Sequence, residues 1–417
     1  MVAIDAVHQI VSFNAGRDPE RLALKYSKMR ASTFAFLRGS CHLFYDRLPL
    51  PALPKNAPWV WACGDLHLEN FGSYKADNRQ VYFDVNDFDE AALAPASWDL
   101  IRMLTSIWMG TDGMVATVSD TRALCACFLD AYASALAGGK SYWVERETAQ
   151  GPVRSLLDSL RARTRIEFLD ARTEVSGKKR TLRTDGKKTL PASTAQRIQV
   201  TAFMASFAQH QTDPAFYQVL DIARRVAGTG SLGLDRFAIL VKGKGSPDGN
   251  YLLDLKRATP SALVPHLAAK QPKWPSQAHR VVALQQRCQA MPMAFLQPVF
   301  MGDDAYVLRG LQPSEDRVAV SSAKLSLVGL KDLLGSLGKV VAWMHLRAAG
   351  RQGSAIADEL MAWGQKSTWQ QKMLRATSVC ADLVCADAQS FNAAYDSGLL
   401  REHSASTARM PLTRSRN

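Results

Sequence analysis

Apolar residues recur at three- and four-residue spacing through residues 18 to 48, which predicts an amphipathic helix ending near Arg38-Gly39 or somewhat later. The prolines of PLPALPKNAP (49–58) then make a connector. WVWACGD reads as a short apolar strand running into a polar loop, and VYFDVNDFDE as a second strand with acids at its end. Helical spacing returns from Trp98 to about Ala137 and again over 194–210. Between those helices, KKRTLRTDGKKTLP predicts two short strands turning at Asp185-Gly186. VLDIARRVA reads as helix, and the glycine-punctuated stretch after it as an antiparallel strand pair, FAILVKG and NYLLDLKRA. A helix over 277–290 precedes two more strands, MAFLQPVF and AYVLRGL, separated by the turn residues Gly302-Asp303-Asp304. From about 325 to the end the pattern is helical, and no internal repeat interrupts it. The outline is an α+β chain in three parts: helical 1–210, β-rich 211–315 and helical 316–417.

Composition narrows the class without naming a function. The chain has 417 residues, of which 47% are hydrophobic and 21% charged, an ordinary globular balance that excludes a disordered tail, a collagen or a coiled-coil rod. No run of eighteen apolar residues occurs, so no transmembrane helix is expected. The first residues lack a signal-peptide pattern, which makes the cytoplasm the expected compartment. Seven cysteines, none in a C-x-x-C pair, read as reduced and mostly buried; Cys125-x-Cys127 reads as packing within a helix. A net charge of +13 favours phosphate-bearing partners. Its densest stretch, Lys178 to Lys188, has no aromatic residue for stacking on bases and no nucleic-acid motif beside it, so nucleic acid is not the expected partner.

The chemistry concentrates between residues 64 and 99. Gly64-Asp65-Leu66-His67-Leu68-Glu69-Asn70 follows an apolar strand, so its polar side chains emerge together in a loop. Asp84, Asp87 and Asp89 stand at or beyond the second strand, and Trp98-Asp99-Leu100 opens the next helix. Carboxylates gathered at strand ends repel one another unless a cation joins them. Two carboxylates and an amide oxygen are hard ligands suited to Mg²⁺ or Mn²⁺.

These residues resemble the catalytic and metal loops of the protein-kinase-like fold. The form is most similar to aminoglycoside and choline phosphotransferases, with C-G-D-L-H-L-E-N followed by N-D-F-D-E-A and W-D-L. The resemblance implies that Asp65 orients and deprotonates an acceptor hydroxyl, with His67 as supporting neighbour. It implies that Asn70 and Asp87, with Asp89 beside them, hold Mg²⁺, and that Asp99 buttresses the loop. Cys63 stands where that family usually has His.

Gly228-Thr-Gly230-Ser231-Leu-Gly233 fits G-x-G-x-x-G, but a strand follows it where a dinucleotide fold would have a helix. Loop, strand, turn and a strand ending near Lys256 resemble a kinase small lobe, which implies that the loop and Lys256 hold the phosphates of ATP. The helix, two strands, the Gln312-Pro313-Ser314 connector and a helix follow in small-lobe order. Yet the catalytic loop lies about 160 residues before the glycine loop, an order that circular permutation explains. The resemblance thus implies a two-lobed, circularly permuted protein-kinase-like fold, in which 316–417 rejoins the large lobe and the late helix lies beside the residue-64 loop. The layout also resembles an uncharacterised bacterial family, domain of unknown function 2252, through KYSKM…FAFLRG, CGDLHLENFG, NDFDE, the glycine loop, the strand lysine, VVALQQR and His345.

One departure matters. No acid occurs between 258 and 300, so the helix that should supply a Glu to Lys256 has none. Gln285 or Gln286 could hydrogen-bond Lys256, and Asp254, two residues away on the same strand, could neutralise it. Arg38 is a candidate partner for phosphate or an acid near the cleft, with a structural arginine as the alternative. The expectation is an ATP- and Mg²⁺-dependent transferase acting on a hydroxyl of a small molecule or protein. A nucleotide-binding pseudokinase or an AMP-transferring enzyme is the alternative. A calcineurin-like phosphoesterase would need G-D-x-x-D and G-N-H, and a serine hydrolase G-x-S-x-G; none of these occurs.

Overall fold

The computed structural model describes residues 5–115, 117–320 and 325–400. The N-terminal region holds α1 (Ala6–Phe13), α2 (Pro19–Ala31), α3 (Thr33–Gly39) and α4 (Cys41–Asp46), where one helix over 18–48 was expected. Ser32 makes the first break: its backbone is extended, and its hydroxyl accepts the Ala35 N–H to cap α3. β1 (Trp59–Ala62) pairs with β4 (Ala92–Pro95), β2 (Phe71–Lys75) with β3 (Val81–Val85), and β5 (Val144–Glu145) joins β3. The next run divides into α5 (Ala96–Gly110) and α6 (Val118–Ala137), the second opened by a Thr117–Asp120 capping box.

After α7 (Gly151–Arg161) and α8 (Arg165–Asp170), β6 (Thr173–Ser176) and β7 (Lys179–Leu182) form a hairpin. It turns at Gly177 and not at Asp185-Gly186. Asp185 instead shapes the loop to β8 (Thr189–Pro191), its Oδ1 accepting the N–H groups of Lys187, Lys188 and Thr189. α9 (Thr194–Gln209) falls where helix was expected, capped reciprocally by Ser193 and Gln196.

VLDIARRVA is a strand, β9 (Val219–Arg225), which corrects the helical expectation. Its apolar residues satisfy either period. Pairing with β8 on one side and β10 (Arg236–Val241) on the other decides the matter. β10, β11 (Tyr251–Arg257), β12 (Gln297–Met301) and β13 (Asp304–Gly310) complete a six-stranded antiparallel sheet in the order β12-β13-β11-β10-β9-β8. α10 (Gln277–Cys288) lies between β11 and β12 in the chain. α11 (Leu327–Arg347), α12 (Ala357–Gly364) and α13 (Thr368–Asp396) follow; the part of the expected helical run at 401–417 lies outside the described residues.

The architecture is mixed α+β with antiparallel sheets. One core joins the N-terminal helices to α5, α6, α11 and α13, through residues such as Phe36, Leu104, Phe128, Leu337 and Phe391. A second core lies between the large sheet and α9, where Val200 and Met204 meet Ile222, Phe237, Ile239 and Leu253. β8 and α9, though they precede residue 211, therefore pack as part of the β-rich unit. All seven cysteines are free. Among the described residues no helix is long and apolar enough to cross a membrane.

Candidate active site

β1 delivers the loop that begins at Cys63. Gly64 has a φ of +87°, and a Cβ there would lie 2.3 Å from the Glu90 carbonyl oxygen, so the chain can turn here only without a side chain. Asp99, fully buried on α5, holds the turn: its carboxylate accepts the Cys63 N–H at 2.8 Å and the Gly64 N–H at 2.9 Å. His345 near the end of α11 reaches Asp99 at 3.2 Å and Tyr132 at 2.9 Å, so both ends of the chain brace one loop.

Asp65 follows directly. Its Oδ1 accepts Arg102 Nε at 3.0 Å and Nη2 at 2.7 Å, while Oδ2 faces Gly230 across the cleft, 4.0 Å from where a Cβ would sit. Burial pulls the Arg102 guanidinium down, but Asp65 outweighs it and holds the group above its ordinary range. The ion pair fixes the orientation of the Asp65 carboxylate. Asn70 ties the loop to the next strand: Nδ2 donates to the carbonyls of Asp65 and Asp87, and Oδ1 accepts the Asp87 N–H at 2.9 Å. His67 is a buried strut whose Nδ1 accepts the Glu69 N–H. Burial, with Arg38, Arg317 and Arg102 nearby, keeps its imidazole neutral by pushing it well below its usual range.

Lys256, buried on β11, crosses the cleft to both candidate metal carboxylates. Its Nζ lies 3.1 Å from Asp87 Oδ2 and also pairs with Asp89. Burial raises the Asp87 carboxyl, yet Lys256, Arg309 and Arg236 outweigh it and hold it below the usual range; burial and Asp87 itself push Asp89 up. The ammonium thus stands where a cation between the two acids would stand. Two carboxylates so arranged fit Mg²⁺ bound jointly with substrate phosphates, which needs only one or two protein carboxylates. Among the described residues no set of three or more His, Cys, Asp or Glu side chains gathers as a metal site.

The two partners expected for Lys256 are engaged elsewhere. Gln285 donates to Gln289, and Asp254 is held by Arg225, Arg236 and Arg309. From the helix where a Glu was sought, Arg280 grips the loop after β3 instead, donating to the carbonyls of Asp89 and Ala91 at 2.7 and 2.6 Å.

The glycine loop spans the turn from β9 to β10, with Gly228 and Gly233 at positive φ. Its carbonyls point at the N-terminal helices. Gly230 O accepts Arg17 Nη1 at 2.7 Å and buried Lys25 Nζ at 2.9 Å, and Leu232 O accepts Arg17 as well. Burial, with Arg17 alongside, pushes the Lys25 ammonium well below its ordinary range.

Two adjoining cavities result. The smaller, about 70 Å³, is lined by Asp65, His67, Asn70, Asp87, Asp89, Glu90 and the glycine loop from Gly228 to Ser231. The larger, about 520 Å³, runs from Gly228 and Asp87 past Val226, Ala238 and Leu252 to Leu311-Gln312-Pro313. Arg38, Glu69, Asp87, Gly228, Thr229 and Arg317 line both, and Arg38 pairs with Glu69. Asp65, His67, Asn70, Asp87, Asp89, Gly228, Gly230 and Ser231 thus converge on one cleft, with Lys256 at Asp87. Gly233 is set back against Arg17.

The profile of a family described as "Uncharacterized protein conserved in bacteria (DUF2252)" matches residues 17–394. The chain belongs to this family. No curated protein and no solved structure matches it. In this DUF2252 chain the matched span takes in every cleft residue named above.

Sequence reasoning missed several residues that build or line the cleft, among them Arg102, Lys25, Arg280 and Glu90. Arg102, three residues after Asp99, is the one basic residue of α5, and that isolation was its signal. Lys25 lies in KYSKM, and Arg280 in a helix searched only for acids. Glu90 adjoins Asp89, and its Oε2 accepts the Ala262 N–H. Burial pushes its carboxyl up to about 7.

Proposed function

We propose that this protein is an ATP- and Mg²⁺-dependent transferase of a two-lobed, circularly permuted protein-kinase-like architecture. The observation that carries the reading is the Lys256 bridge: a lysine from the sheet meets Asp87 and Asp89 beside Asp65 and beneath Gly230. Four motifs meet there, and their juxtaposition supports a phosphoryl-transfer reading. The strand identity of β9 supports it further, because the glycine loop now links two strands of the sheet that carries the lysine.

On this reading the larger cavity takes ATP along a lining that includes Val226, Ala238 and Leu252. Asp65 Oδ2 accepts the proton of an acceptor hydroxyl. The hydroxyl oxygen bonds to the γ-phosphorus as the bond to the β-bridging oxygen breaks, and ADP leaves with that electron pair. When bound, Mg²⁺ would be held by Asp87 and Asp89 and neutralise phosphate oxygens; Asn70, expected as a third ligand, has its Oδ1 engaged by the Asp87 N–H. Arg102 orients Asp65, and Asp99 fixes the loop that presents it. The acceptor is a small molecule or protein, and a cytoplasmic setting belongs to the same proposal.

A pseudokinase is favoured by the absence of a helix carboxylate opposite Lys256, and AMP transfer by the basic lining of the larger cavity. Calorimetric titration of ATP with Mg²⁺ and with EDTA tests the reading. Wild type should bind in Mg²⁺, and Asp87→Asn should lose that binding; equal binding by both would refute the metal assignment. Release of neither ADP nor pyrophosphate across acceptors would favour the pseudokinase.

A further inference from the structure

The inner wall of the larger cavity carries more positive charge than its acids balance. Arg225 from β9, Arg236 from β10 and Arg309 from β13 converge on Asp254. The three guanidinium side chains are 10, 7 and 8% exposed and the carboxylate is fully buried. Arg225 lies 2.7 Å from Asp254 Oδ2, Arg236 donates to it in bidentate fashion at 2.8 and 2.6 Å, and Arg309 stands at 3.4 Å. Their remaining contacts are neutral carbonyls, of Gln312, Ala227 and Asn86 respectively. Including the neighbouring groups, six cations (Arg38, Arg225, Arg236, Lys256, Arg309, Arg317) face four acids (Glu69, Asp87, Asp89, Asp254), a surplus of two positive charges. Buried cations in excess of their partners are strongly unfavourable unless an anion completes the set.

A second observation points into the same space. Asn86 is 3% exposed and lines this cavity, and neither its Nδ2 nor its Oδ1 has a hydrogen-bond partner. A buried amide of that kind calls for a ligand atom. The connector at the far end offers little to a base edge, since Pro313 has no N–H and the Gln312 carbonyl is taken by Arg225. The rim adds charge of the same sign: Arg183, Lys187 and Lys188, from the basic stretch that the transferase reading leaves without a role, line the mouth.

We infer that this wall is a phosphate subsite, where a phosphoryl group carrying two negative charges seats against Arg225, Arg236 and Arg309 and accepts a hydrogen bond from Asn86. The inference deepens the transferase reading by naming an anionic end for the ligand, though its charge argument stands without that reading. The phosphate belongs either to the nucleotide, lying with its phosphates against the arginines, or to a separate phosphorylated ligand.

Inorganic tripolyphosphate, titrated in EDTA into the full chain by calorimetry, tests it. Wild type should bind, more weakly as salt rises, and Arg225→Gln and Asn86→Ala should each weaken binding about tenfold or more. Arg317→Gln, at the partly exposed rim and remote from the Asp254 cluster's bonds, gives a smaller loss in a variant whose fold is not at stake. Without anion, Arg225→Gln should melt no lower than wild type, because it relieves a surplus; added tripolyphosphate should raise the wild-type melting temperature alone. No binding by wild type, or binding indifferent to all three substitutions, overturns the inference. If ATP displaces tripolyphosphate, the nucleotide's own phosphates occupy the subsite; if both bind together, a separate phosphorylated ligand does. Tripolyphosphate binding without Mg²⁺-dependent ATP binding would sink the transferase reading alone, and the reverse pattern would sink this one alone.

Discussion

Lys256→Met removes the cation between Asp87 and Asp89 while keeping the length of the side chain. Stripping a buried ion pair of one partner costs about 3–5 kcal/mol. Asp87 is 40% exposed and Asp89 25%, so solvent screens much of the uncovered charge and the expected loss falls to about 2–3 kcal/mol. For a chain of 417 residues that corresponds to a melting temperature lower by roughly 2–4 °C. The same substitution vacates a cation position. Mg²⁺ at a hundred times its dissociation constant would return about 2.7 kcal/mol. In wild type the ammonium competes for the two carboxylates, so the gain there is smaller. Thermal melts of both proteins at neutral pH, in EDTA and in a Mg²⁺ series, make the comparison. The reasoning fails if Lys256→Met melts like wild type in EDTA, or if Mg²⁺ raises both melting temperatures equally.

Asp99→Ala leaves the Cys63 and Gly64 N–H groups without acceptors, an expected loss of about 2–5 kcal/mol in denaturant unfolding. Mg²⁺-dependent ATP binding should fall with it, while Asp99→Asn, which keeps one acceptor oxygen, should lose less of both. Arg102→Met should cost about 3–5 kcal/mol by uncovering Asp65; a double-mutant cycle with Asp65→Asn should recover about 1–3 kcal/mol of it, and strict additivity would deny the coupling. Asp387, 7% exposed on α13 beside Arg47, has its carboxyl pushed up by burial to about 6, against which Arg47 works. The folded state therefore holds this proton more tightly than the unfolded chain, where the group titrates near 3.8. The stability it contributes is present below that value and lost as pH rises through 6. Asp387→Asn should match wild type at pH 4 and exceed it by ~1–3 kcal/mol at pH 7 in equilibrium unfolding; a gap that does not change with pH would refute this.

Much of the site was legible because its residues sit at points the chain can reach only one way. Gly64 must be glycine to pass the Glu90 carbonyl, and the acids at 87 and 89 follow a strand whose apolar run is unmistakable. The failures have a common physical origin. VLDIARRVA offers Val219, Ile222, Ala223 and Val226 at spacings that suit a helix, and only its sheet neighbours make it a strand. The hairpin turns at Ser176-Gly177, a turn pair less specific than Asp185-Gly186, and the latter forms a loop that tertiary packing at β8 extends. The break at Ser32 was a capping signal hidden inside an apolar period. Local preference was weak at each place, and contacts distant in sequence decided.

The missing helix carboxylate and the crowd of arginines are two consequences of one charge arrangement. A lysine on a central strand needs a carboxylate. When α10 supplies none, Lys256 must find its partner across the cleft, and Asp87 and Asp89 are the acids within reach. Arg236 and Arg309 still act on Asp87 through space, but their direct ion pairs lie elsewhere. Arg225, Arg236 and Arg309 are left to share Asp254, which one guanidinium could satisfy. α10 is still coupled to the loop after β3, but through Arg280 and backbone carbonyls, contacts that persist whatever the ionic state of the acids. A divalent cation between Asp87 and Asp89 would displace the ammonium and add positive charge to a wall already in surplus. Phosphate and metal should therefore bind with positive coupling, each lowering the electrostatic cost of the other.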